Sequence, residues 1–136
     1  MIVLDCNAAI NMLVETPEGK GLAALLLEGE AVISPTFFCA EVTHVLKKRV
    51  RDGYSDRKEA LAMGCMCFAL VDEFVPDASL WEEVLSESLR LEHSSYDLFY
   101  FVLARRRGAT LFTLDRRLQE LCLDNGVDCM VADAKF

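Results

Sequence analysis

Three short runs constrain the fold most. Ile2-Val3-Leu4, AVIS at 31–34 and TLFTL at 110–114 are apolar almost without alternation. A strand of that kind is covered on both faces, which is the habit of parallel sheets. Helix-like segments separate the runs. Residues 36–51 place apolar side chains at 38, 42, 45, 46 and 50, a helical spacing, and Asp52-Gly53 ends them. The same reasoning predicts helices over 7–15 and 18–28, broken near Thr16-Pro17, and over 56–70, 79–91, 95–107 and 116–124. It predicts strands over 2–5, 31–34, 73–75, 110–114 and 127–131. Strand and helix alternate, so the expected architecture is an α/β fold with a parallel sheet between helices. A chain of 136 residues is expected to form one domain over 1–136.

Several classes are disfavoured. The longest apolar run, 60–71, has Gly64 inside it and is too short to span a bilayer. The N-terminus meets Asp5 without a basic lead, so no signal peptide is expected and the cytoplasm is the default location. Cys6, Cys39, Cys65, Cys67, Cys122 and Cys129 lie in apolar segments without zinc spacing and are expected to be buried thiols. A net charge of −8 argues against a generic nucleic-acid coat. The basic residues are nevertheless grouped: KKRVR at 47–51, Arg105-Arg106-Arg107, and Arg116-Arg117. Such patches can hold phosphates. The first two also fall at expected helix C-termini, where they complement the dipole.

Four acids stand out among the 22. Asp5 and Asp115 follow the first strand and TLFTL directly, at the carboxyl edge where open α/β sheets bind ligands. Glu41 projects from the stripe of Phe38, Val42 and Val45, and Asp97 precedes the apolar run LFYFVLA. An ionised carboxylate in such a setting needs a partner. Each acid has a plainer reading as a cap or dipole partner: Asp5 and Asp115 for the helices that follow, Asp97 in a capping box with Ser94, Glu41 as a first-turn acid. Their convergence on one edge favours a metal site. Oxygen-only ligands point to Mg²⁺ or Mn²⁺. Asn7 and Thr113 lie two residues from Asp5 and Asp115. His44 and His93 lack zinc spacing and read as surface or core residues.

The stretches MIVLDCNAAI, SPTFFCAEVTHVL and SSYDLFYFVLARRRGATLFTLD, with the helix after them, resemble PIN domains and among those the short VapC-like toxins. The resemblance covers roughly residues 1–131. It implies a PIN-like three-layer α/β/α fold around a mainly parallel sheet. It also implies a metal-dependent endoribonuclease, the toxin of a type II toxin–antitoxin pair. Asp5, Glu41, Asp97 and Asp115 match the family's acidic, metal-binding catalytic positions; Asn7 and Thr113 match supporting polar positions. Arg105, Arg106, Arg107, Arg116 and Arg117 are the expected RNA phosphate contacts. A homodimer and an antitoxin partner are further implications. The sequence departs from the family at Leu98, where a small residue is common, and at the two arginines after Asp115.

Two other readings are open. A catalytically silent domain of this fold could bind RNA or protein while keeping the acids for structure. A haloacid-dehalogenase-like phosphatase also begins with a strand ending in Asp, but it needs a second Asp where Asn7 stands and a placed lysine, for which Lys135 is the only candidate after Lys58.

Overall fold

The computed structural model describes residues 1–26 and 29–130. The elements run β1 (Ile2–Leu4), α1 (Cys6–Leu13), α2 (Pro17–Leu25), β2 (Val32–Pro35), α3 (Phe37–Arg51), α4 (Arg57–Ala69), β3 (Glu73–Val75), a 3₁₀ turn (Asp77–Ser79), α5 (Trp81–Leu91), α6 (Ser95–Arg107), β4 (Thr110–Phe112), α7 (Arg116–Asp124) and β5 (Cys129–Met130). The expected ends of the second helix at Glu28 and of the last strand at Val131 lie outside the described residues, as does Lys135.

The five strands form one sheet in the order β3-β2-β1-β4-β5, every neighbouring pair parallel. Helices cover both faces, as the continuous apolar strands require. Val3, Leu4, Ile33 and Leu111 are fully buried between them. The chain steps from β1 outward to β3, then crosses back to β4 on the other side of β1. That reversal makes the carboxyl ends of β1 and β4 the switch point, where a crevice opens.

Helix α6 supplies much of the core. Leu98, Tyr100, Phe101, Val102, Leu103 and Ala104 are buried on it. The Leu, Val and Phe side chains among them contribute about 1.5–3 kcal/mol each when withdrawn from water. Gly108 closes the helix in the left-handed region, at φ 59°. Because α6 leads into a parallel strand, its start lies at the carboxyl edge of the sheet and its end at the amino edge. Helices α1 and α2 meet at Gly19, where a Cβ would lie 2.0 Å from the Asn11 carbonyl oxygen. Only glycine permits that approach.

Two strands stop earlier than their apolar runs suggest. The first ends at Leu4 because Asp5 turns to cap α1. TLFTL leaves the ladder after Phe112, and Thr113 and Leu114 form the turn into α7. The helix expected from residue 79 begins at Trp81, after the 3₁₀ turn that ends at Ser79. Among the cysteines, Cys6, Cys67 and Cys122 are buried and Cys39 and Cys129 are partly covered, but Cys65 is exposed on α4, contrary to expectation; all six are free thiols. No helix among the described residues is long and apolar enough to cross a membrane.

Candidate active site

Asp5, Glu41, Asp97 and Asp115 line one cavity of about 100 Å³, together with Cys6, Asn7 and Tyr100. Each arrives by a different element. Asp5 sits between β1 and α1, its backbone N–H donating to Phe112 O at 3.2 Å and so tying β1 to β4. Glu41 comes from the second turn of α3, Asp97 from the first turn of α6, and Asp115 from the turn before α7. A wider apolar groove of about 560 Å³ lies between α3 and α4, lined by Leu46, Val50, Leu61 and Phe68. It contains none of the four acids; its charged lining is basic, from Lys47, Arg51 and Arg57.

The plainer readings of these acids divide. Asp5 Oδ1 accepts from Ala8 N at 2.8 Å, and Asp115 Oδ1 accepts from Arg117 N and Leu118 N at 2.9 and 3.2 Å, so both are N-caps as well as cavity residues. Asp97 makes no capping box, since Ser94 makes no side-chain cap bond. Its Oδ2 faces His93 Nε2 at 3.0 Å instead. An ionised carboxylate only accepts, so the imidazole donates. Glu41 lies beyond the first turn of α3, and its Oε1 accepts from the Tyr100 hydroxyl at 2.5 Å. His93 is therefore a site residue rather than an incidental histidine. Tyr100, embedded in LFYFVLA, is the other residue the sequence did not single out.

The electrostatics are those of crowded, desolvated acids. Burial pushes the Asp5 carboxyl up to about 7, aided by the Glu41 and Asp97 charges and opposed by the Thr113 hydroxyl and the Ala8 amide. Glu41 is raised by burial and by Asp97, with Tyr100 opposing. Asp97 is also raised, chiefly by burial and then by Asp115, while His93 and Arg117 oppose. Cys6, buried beside Glu41 and Asp5, is held as the neutral thiol.

Asn7 lines the cavity and accepts from Asn11 Nδ2 at 2.8 Å. Thr113 is fully buried; its hydroxyl oxygen accepts from Asp115 N at 3.1 Å, and its carbonyl accepts from Gln119 Nε2 at 2.9 Å. Thr113 thus links the two capping acids. Arg116 and Arg117 are exposed on the first turn of α7, next to Asp115. The structure does not bring Arg105, Arg106 and Arg107 to the cavity. They lie at the far end of α6, about 12 Å or more along the helix from Asp97. Arg105 pairs with Glu83 and Glu87, Arg106 with Glu83, and Arg107 with Glu73.

Among the described residues, no group of three or more His, Cys, Asp or Glu side chains stands as a ready-made metal-holding cluster. Glu41 Oε1, Asp97 Oδ2 and Asp115 Oδ1 are each committed to protein donors, and their second oxygens make no hydrogen bond among the described residues. The donor set fits a hard divalent cation in chemistry: anionic, oxygen-only and repelling itself in the absence of positive charge.

Known proteins agree with this fold. The profile of the PIN domain matches residues 2–123. The chain is 31% identical over 120 residues to Ribonuclease VapC12 of Mycobacterium tuberculosis, in both strain CDC 1551 / Oshkosh and strain H37Rv, covering 88% of this chain and 91% of the relative. Among solved structures it resembles PAE2754 from Pyrobaculum aerophilum, with a TM-score of 0.67 and 18% identity over 86% of this chain and 81% of that one. It resembles equally M. tuberculosis VapC20, described as a sarcin-ricin loop cleaving toxin, with a TM-score of 0.67 and 17% identity over 89% and 95% of the two chains. The matching family is the PIN domain rather than a haloacid-dehalogenase-like phosphatase. This chain belongs to the PIN-domain family, with VapC-like ribonucleases among its relatives.

Proposed function

We propose that the chain is a metal-dependent endoribonuclease that hydrolyses RNA phosphodiester bonds, and that it is the toxin of a type II toxin–antitoxin pair. The observation that carries the catalytic reading is the cavity shared by Asp5, Glu41, Asp97 and Asp115, with Asp5 desolvated until its carboxyl titrates at about 7. A protein that needed these acids only as caps would have no reason to bury one without a cationic partner.

In this reading Asp5, Asp97 and Asp115 hold the cation, and Glu41 holds it directly or through water. A bound Mg²⁺ or Mn²⁺ supplies the charge that draws a phosphate in and activates water. His93 and Tyr100 fix the rotamers of Asp97 and Glu41 by occupying one oxygen of each. Thr113 and Gln119 hold the β4–α7 turn so that Asp115 faces Asp5 across the switch point. Asn7 offers an amide at the cavity rim, and Arg116 and Arg117 offer cations beside it for the phosphates on either side. Homodimerisation and an antitoxin that covers the acids belong to the same reading and rest on the resemblance to VapC-like toxins; a cytoplasmic location accompanies them as an expectation from the sequence.

Incubation of cellular RNA with the purified chain tests it. Mn²⁺-dependent cleavage is expected in the parent, lost in EDTA and reduced about 10²–10³-fold in Asp97→Asn. Equal cleavage by Asp97→Asn would remove the assignment.

A further inference from the structure

Beside the acid cavity lies a second recess of about 400 Å³, lined by Phe37, Ala40, Glu41, His44, Val45 and Tyr96. Glu41 lines both, so the two adjoin at α3. The recess has an aromatic wall. The rings of Phe37 and Tyr96 are stacked, with centroids 5.3 Å apart and planes 10° from parallel. Phe37 in turn rests against Phe99 and Tyr100, at 5.7 and 6.5 Å between centroids. Tyr96 is therefore backed by a packed aromatic group while being 62% exposed itself. One face of its ring is covered by Phe37, and the residue as a whole remains mostly exposed.

We infer that this recess is a base-binding subsite, in which Tyr96 stacks on an unpaired nucleobase of the RNA strand whose phosphate lies at the four acids. The inference rests on the ribonuclease reading and adds to that site a surface that binds a base.

Charge decides between a base and a phosphate here. No Lys or Arg lines the recess, and Glu41 would repel a phosphate. A neutral base feels no such repulsion, and stacking does not depend on sequence because every base has a π-face. In a chain of net charge −8, affinity gained by stacking offsets what the general field opposes. His44, one turn beyond Glu41 on α3, offers an imidazole edge to the base's polar atoms. A base in a duplex is stacked and paired already, so it cannot enter without unstacking.

The test uses a single-stranded RNA oligonucleotide carrying 2-aminopurine, whose fluorescence is quenched by stacking. Ca²⁺ replaces Mn²⁺ to keep positive charge at the acids while slowing hydrolysis. The parent and Tyr96→Phe should quench the probe with equal affinity, and Tyr96→Ala should bind about tenfold or more weakly with quenching lost. The same sequence as a duplex should not be quenched. Sedimentation and thermal unfolding of Tyr96→Ala should match the parent. Absence of binding or quenching in the parent, or unchanged binding by Tyr96→Ala, overturns the subsite. A changed sedimentation coefficient in Tyr96→Ala with RNA binding intact also overturns it, and assigns the face to a second copy of the chain. Cleavage in Mn²⁺ without quenching leaves the ribonuclease and removes the subsite; quenching without cleavage does the reverse.

Discussion

Asp5→Asn will be more stable than the parent at pH 7 and much slower as a nuclease. The carboxyl titrates at about 7 in the folded chain against 3.8 for an ordinary aspartate, chiefly because it is buried. Since the folded value lies above the unfolded one, folding favours the protonated form. Its contribution is therefore best below pH 4 and is lost progressively as pH rises to 7. At about 1.4 kcal/mol per unit, the loss amounts to roughly 2–4 kcal/mol in the metal-free protein at pH 7. Asparagine resembles the neutral acid in shape and keeps an oxygen for the Ala8 amide. The stability gap between variant and parent, measured by urea unfolding in EDTA, should be small at pH 4 and widen toward pH 7. Cleavage should fall about 10²–10³-fold. A gap that does not change with pH would mean that Asp5 carries no buried charge, and the site would lose the strain that a cation relieves.

Asp115→Asn separates a cap from a ligand. Asparagine and aspartate are about equally good N-caps, so its side-chain oxygen can still accept from Arg117 N and Leu118 N. Stability should stay within about 0.5 kcal/mol of the parent. Removing the charge should still lower Mn²⁺ affinity at least about tenfold and cut cleavage about 10²-fold or more. Asp115→Ala should add a stability loss of ~1 kcal/mol as the cap disappears. Thermal unfolding and cleavage rates on the three proteins distinguish the roles. If Asp115→Asn cleaves like the parent, Asp115 is a cap alone.

These two residues show what the sequence could and could not convey. An acid straight after an apolar strand is visible as a string, but cap and ligand look alike there, and Asp5 and Asp115 are placed to do both. Glu41 and Asp97 were the more informative acids, because a carboxylate on an apolar stripe demands a partner. The partners were hidden for a physical reason. Tyr100 lies 59 residues from Glu41 and reads as one more core aromatic until α3 packs near α6. His93 precedes α6 and meets Asp97 only because the chain turns into the helix there. The arginines at 105–107 looked like phosphate contacts because clustering says nothing of direction. Packing α5 against α6 gives Arg105 the pair Glu83 and Glu87, two acids at helical spacing on one face, and gives Arg106 Glu83, while Arg107 meets Glu73 at β3. The strand order needed only the alternation of elements, yet the early ends at Leu4 and Phe112 depended on the turns that follow.

The most direct measurement is calorimetric titration of Mn²⁺ into the parent and into Asp97→Asn, with no RNA present. Four acids that form one metal site predict saturable binding by the parent, weakened at least about tenfold in the variant. No saturable heat at millimolar Mn²⁺, or the same affinity in both proteins, would contradict the account and return Asp5, Glu41, Asp97 and Asp115 to structural roles.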